Sequence, residues 1–303
     1  IRKKLKKKKN YKVYINSSFK SGYLNYGEIY LKGKSKKEIV FSTNVCHPSL
    51  GNNELSGPVL ALALTKYLNK QNLFYSYRIL FVPETIGALS FLKKNEKKLK
   101  KIKGGFVLSC LGDDDNYSIL NSRYGNNFAD KMAEFNYKYN NYSYNKFSYL
   151  KRGSDERQYC APLFNLPFCT IMRTRFGDFK EYHTSFDNLN YVSSKGLGNS
   201  FKMLKKLIFM LEHNRTYISK IKGEPFLNKY NLKKEISGFN KPLQFETKTI
   251  LDLVSYCDGE HDLIDISKII RKDYLYLLKM SRKLCSLGIL KELTKWKIKK
   301  LKI

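Results

Sequence analysis

The chain has 303 residues, 42% of them hydrophobic and 14% aromatic, enough for a buried core and too many for an intrinsically disordered protein. Lys and Arg number 57 against 26 Asp and Glu, a net charge of +31. No stretch reaches the roughly 18 consecutive apolar residues that a membrane span needs, so no membrane partner is expected.

Such a charge points formally to nucleic acid, an anionic surface or an acidic polysaccharide. Lysine is spread along the whole chain, however, and only residues 3–9 and 295–302 concentrate it. Both runs read as solvated ends and the rest as general enrichment. Cysteines at 46, 110, 160, 169, 257 and 285 form no CxxC pair. A domain of this size needs no disulfide staples, so a reducing cytoplasm is the expected compartment. The first residues, Ile1-Arg2-Lys3-Lys4, offer neither an initiator Met nor a signal-peptide core and read as the start of a fragment or processed product.

Residues 11–15 and 27–31 alternate like short strands joined by a Ser/Gly-containing turn. Residues 38–42 form a more buried strand that runs directly into Cys46-His47-Pro48. A helix begins at Ser56, with Pro58 in its first turn where the missing N–H costs little, and Leu60, Leu64, Tyr67 and Leu68 share one face. The strand at 77–82 ends at Pro83-Glu84 and leads to a helix through 88–92. The strand at 105–110 ends at Gly112-Asp113; an Asn/Tyr-rich segment near 136–148, a strand at 167–172 and a long helix at 200–212 follow. Strands alternating with helices predict an α/β fold with a mostly parallel mixed sheet and helices on both faces. Beyond residue 245, helices at 247–256, 263–271 and 274–287, a turn at Asp258-Gly259, a stop at Gly288 and a Lys-rich β-like tail make a small winged helix-turn-helix module. Its third helix carries no cluster of Arg, Asn or Gln suited to base edges, so nucleic acid is not the expected partner. The chain divides on this reading into 1–240 and 241–303.

The side chains that carry chemistry follow strand ends. His47, Glu84 and Asp113 each stand just past one, and His183 lies in a later loop, which is where open α/β sheets build their sites. His213 and His261 fall on ordinary surface patterns, leaving His47 and His183 as ligand candidates. Gly153-Ser154-Asp155-Glu156-Arg157 packs three charges into one loop, a costly arrangement unless they are paired or at a site.

Four segments carry a resemblance. Cys46-His47-Pro48-Ser49-Leu50 with Asn52-Asn53-Glu54-Leu55-Ser56-Gly57, Val82-Pro83-Glu84-Thr85-Ile86-Gly87, Arg152-Gly153-Ser154-Asp155-Glu156-Arg157-Gln158-Tyr159-Cys160 and Tyr182-His183-Thr184 resemble, in this order, the aminopeptidase-like proteins associated with bacterial polysaccharide biosynthesis. Those proteins in turn resemble the co-catalytic zinc aminopeptidases of the leucyl-aminopeptidase/glutamate-carboxypeptidase clan. The similarity runs from about Tyr11 to the C-terminus, and family members usually carry a long segment ahead of that point.

The resemblance implies that His47 and His183 are zinc ligands and that Glu84 is the general base, later returning its proton to the leaving amine. Asp113, or Cys110 if the alignment has no gap, stands where a later acidic ligand belongs. Asn53 occupies the bridging Asp position, with Glu54 beside it as a substitute, and Thr85 replaces a second Glu. Fewer anions imply one zinc ion, or a weak second site. The 153–157 loop is expected to line the site, with Asp155 or Glu156 holding a substrate ammonium, Arg157 a carboxylate, and Tyr182 a further substrate contact. The implied activity is removal of N-terminal residues from peptides, or cleavage of an amide in an amino-sugar or peptide-like conjugate. A pocket that binds an amine or amide without turnover is the first alternative and a nucleic-acid-binding protein the second; homo-oligomerisation stays open.

Overall fold

Two sheets organise the chain in a computed structural model that describes residues 9–232 and 245–293. The larger is built from β1 (Gly27–Leu31), β2 (Glu38–Asn44), β3 (Ser76–Val82), β4 (Ile102–Leu108), β5 (Tyr117–Leu120), β6 (Tyr144–Phe147) and β7 (Phe168–Met172), in the order β1-β3-β2-β4-β7-β5-β6. Its centre, β3-β2-β4-β7, is parallel, while β1 runs antiparallel to β3 and β5 antiparallel to β7. Every residue of β2 is buried, as befits a parallel strand covered on both faces. The covering helices are α1 (Ser56–Leu68), α2 (Ile86–Asn95), α3 (Phe128–Tyr139), the short α4 (Glu156–Tyr159) and α5 (Ser194–His213).

Close approach of α1 to the sheet depends on one glycine. A Cβ on Gly57 would stand 2.2 Å from Thr43 Oγ1 and 2.6 Å from the Leu108 carbonyl oxygen. Leu60, Leu64 and Leu68 can then bury fully on the face that their spacing predicts.

The smaller sheet is antiparallel, in the order β10-β8-β9, from β8 (Thr216–Ser219), β9 (Asp258–Asp262) and β10 (Leu290–Glu292). With α6 (Phe245–Ser255), α7 (Leu263–Ile269) and α8 (Tyr274–Ser286) it makes the winged helix module. Its central strand β8 lies ahead of residue 241, where the sequence reading starts this module. One continuous hydrophobic cluster joins Phe41, Phe106 and Ile171 to Leu253, Ile264 and Leu277. Lys131 of α3 adds ion pairs to Asp262 and Asp265, both at 2.6 Å. Tyr274, at the start of α8, is buried against Phe135 and Tyr139, and the Tyr139 hydroxyl donates to Asp273 Oδ2 at 2.7 Å.

Some expectations are corrected. Residues 11–15 form no strand; Val13, Tyr14 and Ile15 are exposed, because alternation alone supplies no neighbouring strand. Asp258-Gly259 opens β9 instead of a turn, although Gly259 does take a φ of 91°. Strand β4 stops at Leu108, and Cys110 turns away with a φ of 47°. The long helix starts earlier than expected, capped by Ser193, whose hydroxyl accepts from Gly196 N. The basic runs at 3–8 and 295–302 lie outside the described residues. All six cysteines are free, and no described helix is long and apolar enough to cross a membrane.

Gly57→Ala is expected to destabilise the fold by about 2 kcal/mol through overpacking. Thermal or urea unfolding measures this; an unchanged midpoint would mean that α1 moves off the sheet at no cost.

Candidate metal centre and active site

Strand β2 delivers the first site residues. Val45 still follows the sheet, its N–H donating to Val82 O at 2.9 Å, and Cys46 and His47 then leave it. A single π-helical turn, Gly51–Leu55, precedes α1, and such wide turns recur at functional sites. This one swings Glu54 back over the loop. The buried Glu54 carboxylate accepts from Cys46 N at 2.7 Å and Cys46 Sγ at 3.2 Å, and faces His47 Nδ1 at 3.2 Å. Donor atoms of Cys46, His47 and Glu54 all lie within 4.8 Å of one another. The His183 ring stands beside them, its centroid 5.0 Å from that of His47, and stacks on Tyr182 at 3.9 Å.

Imidazole, carboxylate and thiol are the donor types zinc takes, so this constellation fits one zinc ion. Burial, with the nearby Glu54 charge, pushes the Cys46 thiol up to about 12, against a hydrogen bond from the Glu84 backbone. A bound cation would reverse that balance, since coordination deprotonates a thiol.

Asp187 fastens the two histidine loops together, and sequence reading assigned it no role. Its fully buried carboxylate accepts from Asn52 N at 2.6 Å and Asn53 N at 2.9 Å, while its carbonyl accepts from Gly51 N at 2.9 Å. These N–H groups open a helical turn and have no partner within it. The available signal was an acid in the same short loop as a candidate ligand.

Asp113 does not join the histidines. Its buried carboxylate accepts from Asn52 Nδ2 at 2.9 Å, Asp115 N at 3.0 Å, Thr174 N at 3.3 Å and Thr174 Oγ1 at 3.1 Å. With both oxygens occupied, it fastens the end of β4 to the segment after β7. Cys110 is buried, its thiol raised by desolvation, and its Sγ lies 3.8 Å from Asn53 Oδ1. Asn53 is thereby placed between Asp187 and Cys110.

The second arm comes from β3. Glu84 follows that strand, and Thr85 takes φ 66° and ψ −67°, with Ile86 N donating to Glu84 O at 2.8 Å. This is a strained γ-turn, a conformation that persists only when its surroundings enforce it. The 153–157 loop enforces it: Asp155 Oδ1 accepts from Thr85 N at 2.8 Å, and Arg157 Nη2 donates to Thr85 Oγ1 at 2.8 Å. The same Nη2 lies 3.5 Å from Glu84 Oε1. Burial raises the Glu84 carboxyl above the usual range, Arg157 pulls it back, and the Glu54 charge raises it further.

Glu156 is wholly buried and serves its own loop, accepting from Gly153 N at 2.8 Å, Ser154 N at 3.0 Å and Thr170 Oγ1 at 2.7 Å. Asp155 is also buried, and its Oδ2 has no hydrogen-bond partner. Of the three charges in this loop, only Arg157 is partly exposed.

Burial pushes Asp155 up to about 7, although the Thr85 amide opposes the shift. An unfolded Asp titrates near 3.9, so between about pH 4 and about pH 7 the folded state holds a proton that the unfolded state lacks. Stability is therefore lost as pH rises through that window. Asp155→Asn keeps the acceptor for Thr85 and is expected to flatten the slope in denaturant titrations; identical slopes in both proteins would contradict the burial argument.

Comparison with known proteins bears on these residues. Residues 9–214 match the family described as domain of unknown function DUF4910, and residues 215–292 match a winged helix-turn-helix family. A Clostridium acetobutylicum protein named as a polysaccharide biosynthesis protein with aminopeptidase-like domain is 39% identical over 259 residues, 85% of this chain. The chain spans 59% of that relative's length. A crystal structure from the same organism, named as a peptidase, has a TM-score of 0.78 at 34% identity, covering 88% of this chain and 60% of the other. A zinc aminopeptidase from Bacillus subtilis shares the fold, with a TM-score of 0.51 at 16% identity over 61% of this chain and 49% of its own. The aminopeptidase-like α/β sheet and the winged helix module agree with these matches, and the chain belongs to the DUF4910 family.

Proposed function

We propose that this chain is a metallo-aminopeptidase-like hydrolase that cleaves an N-terminal peptide bond or a related amide. The observation that carries this reading is the meeting of Glu54 and the two histidine rings, His47 and His183, past the carboxyl end of β2, with Glu84 just past the end of the adjacent parallel strand. The names and folds of the relatives support it.

On this reading zinc would be held by His47, Glu54 and the Cys46 sulfur, whose donor atoms lie within 4.8 Å of one another, and by His183, whose ring stands beside that of His47. Bound there, zinc supplies Lewis acidity toward a scissile carbonyl. The remaining work falls to side chains. Glu84 accepts a proton, and its raised affinity for protons suits a base acting near neutrality. It can then return that proton to the departing amine. Arg157, held by Thr85, opposes that rise and stands 3.5 Å from the carboxylate. The Tyr182 hydroxyl, pushed up to about 12 mainly by burial, remains a donor for a substrate carbonyl. With Asp155 and Glu156 buried, recognition by this loop rests on Arg157, which favours a substrate carrying a carbonyl or carboxylate on that side. The relative is named for polysaccharide biosynthesis, and on that ground we carry an amide in an amino-sugar conjugate as a second substrate class. Base readout by the C-terminal module is disfavoured, because recognition helices use their N-terminal residues and the start of α8 is packed against α3.

Zinc-loaded full chain should hydrolyse aminoacyl anilides or N-acylated amino sugars. Glu84→Gln is expected to lower kcat by about 10³-fold, within the range for losing a general base. Turnover of neither class with zinc bound, or equal rates for the variant, would sink the hydrolase reading and leave a binding module.

A further inference from the structure

A concave region on another part of the molecule shares no residue with the histidine site. It is a cleft of about 640 Å³ between α1, α5 and the start of β5, within the range of about 300–1,000 Å³ that suits a small organic ligand. Its walls are aromatic and cationic, and no acidic side chain lines it. Lys202, Lys205 and Lys206 come from α5, Tyr117 and Tyr142 from either end of the β5–β6 region, and Arg173 from just past β7.

Three lysines on a helix are ordinarily a solvated face. Arg173 is not ordinary. It is 5% exposed, and its Nε and Nη1 have no hydrogen-bond partner. Leaving guanidinium N–H groups unbonded away from water is costly. Asp113 Oδ1 lies 3.8 Å from Nε, close enough for an ion pair and too far for a hydrogen bond, and Asn52, Asp115 and Thr174 already occupy that carboxylate. The guanidinium carbon sits over the Tyr117 ring, 4.5 Å from its centroid. Lys206 is held over Tyr142 at 5.1 Å in the same manner.

We propose that this cleft binds a small phosphate ester, with the phosphate on Arg173 and the α5 lysines and a ring-bearing body against the aromatic wall that includes Phe209. A planar guanidinium matches two oxygens of one anion. A carboxylate would satisfy Arg173 but leave most of the lysine charge unopposed, whereas a phosphate monoester brings close to two negative charges and three acceptor oxygens. The exposed ring of Phe209 and the tyrosine edges that complete the lining give a nucleobase or a sugar ring an apolar contact, so nucleotides and sugar phosphates share the chemistry required.

Calorimetric titration of the full chain with AMP, glucose 1-phosphate, inorganic phosphate and acetate tests the proposal. At least one ester is expected to bind about tenfold or more tightly than acetate, and which one binds identifies the ring. Arg173→Lys, which keeps the charge and loses the fork, is expected to weaken binding about tenfold. Lys202→Gln with Lys206→Gln, on the exposed side of α5, should weaken it severalfold without disturbing the fold. His47→Ala should leave affinity unchanged. No saturable binding of either ester, binding no tighter than inorganic phosphate, insensitivity to the arginine and lysine changes, or loss in His47→Ala would overturn the proposal.

Discussion

The buried carboxylate of Asp187, bonded to the backbone N–H groups of Asn52 and Asn53, is the contact on which the candidate centre depends. It satisfies the opening amides of a π-helical turn that have no internal partner, through charge-assisted bonds of about 1.5–3 kcal/mol each. That turn sets where Glu54 falls, and Glu54 in turn orients Cys46 and His47. Asp187 also belongs to the loop that carries His183. One residue therefore ties together the loops of two histidines separated by most of the first domain.

A second constraint meets the first from the neighbouring strand. Parallel pairing of β2 with β3 brings Asn44 opposite Val82, so the loops that follow both strands emerge side by side. Glu84 is kept near the histidines by an unfavourable conformation at Thr85, which Asp155 and Arg157 hold in place. The loop's three charges thus serve different ends. Glu156 shapes the loop, Asp155 enforces the strained turn, and Arg157 reaches the Glu84 carboxylate. Burial in the core and the strain at Thr85 are coupled through a single aspartate.

Much of this was legible in the sequence, for physical reasons. β2 read as a buried strand and β3 as a strand, and both are covered on their two faces as parallel strands are, while α1 was legible because Leu60, Leu64 and Leu68 recur at helical spacing. His47, Glu84 and His183 were legible as candidates because each follows a strand or lies in a polar loop. Residues 11–15 misled because alternation reports on a strand's own faces and says nothing about a pairing partner. Asp113 could not be placed, since its role depends on Asn52 and Thr174, donors that are distant in the chain. Glu54 gained weight only once the wide turn showed its carboxylate facing back to His47. Asp187 remained unassigned because its partners are backbone amides, which every residue carries.

Zinc content of the full chain, measured after zinc loading and exhaustive dialysis, most directly tests whether the histidine loops form a metal centre. About one ion per chain is expected, lost in His47→Ala and His183→Ala and retained in Asp113→Asn. No zinc in the parent chain, or zinc that survives both histidine changes and disappears with Asp113→Asn, would contradict the centre described above.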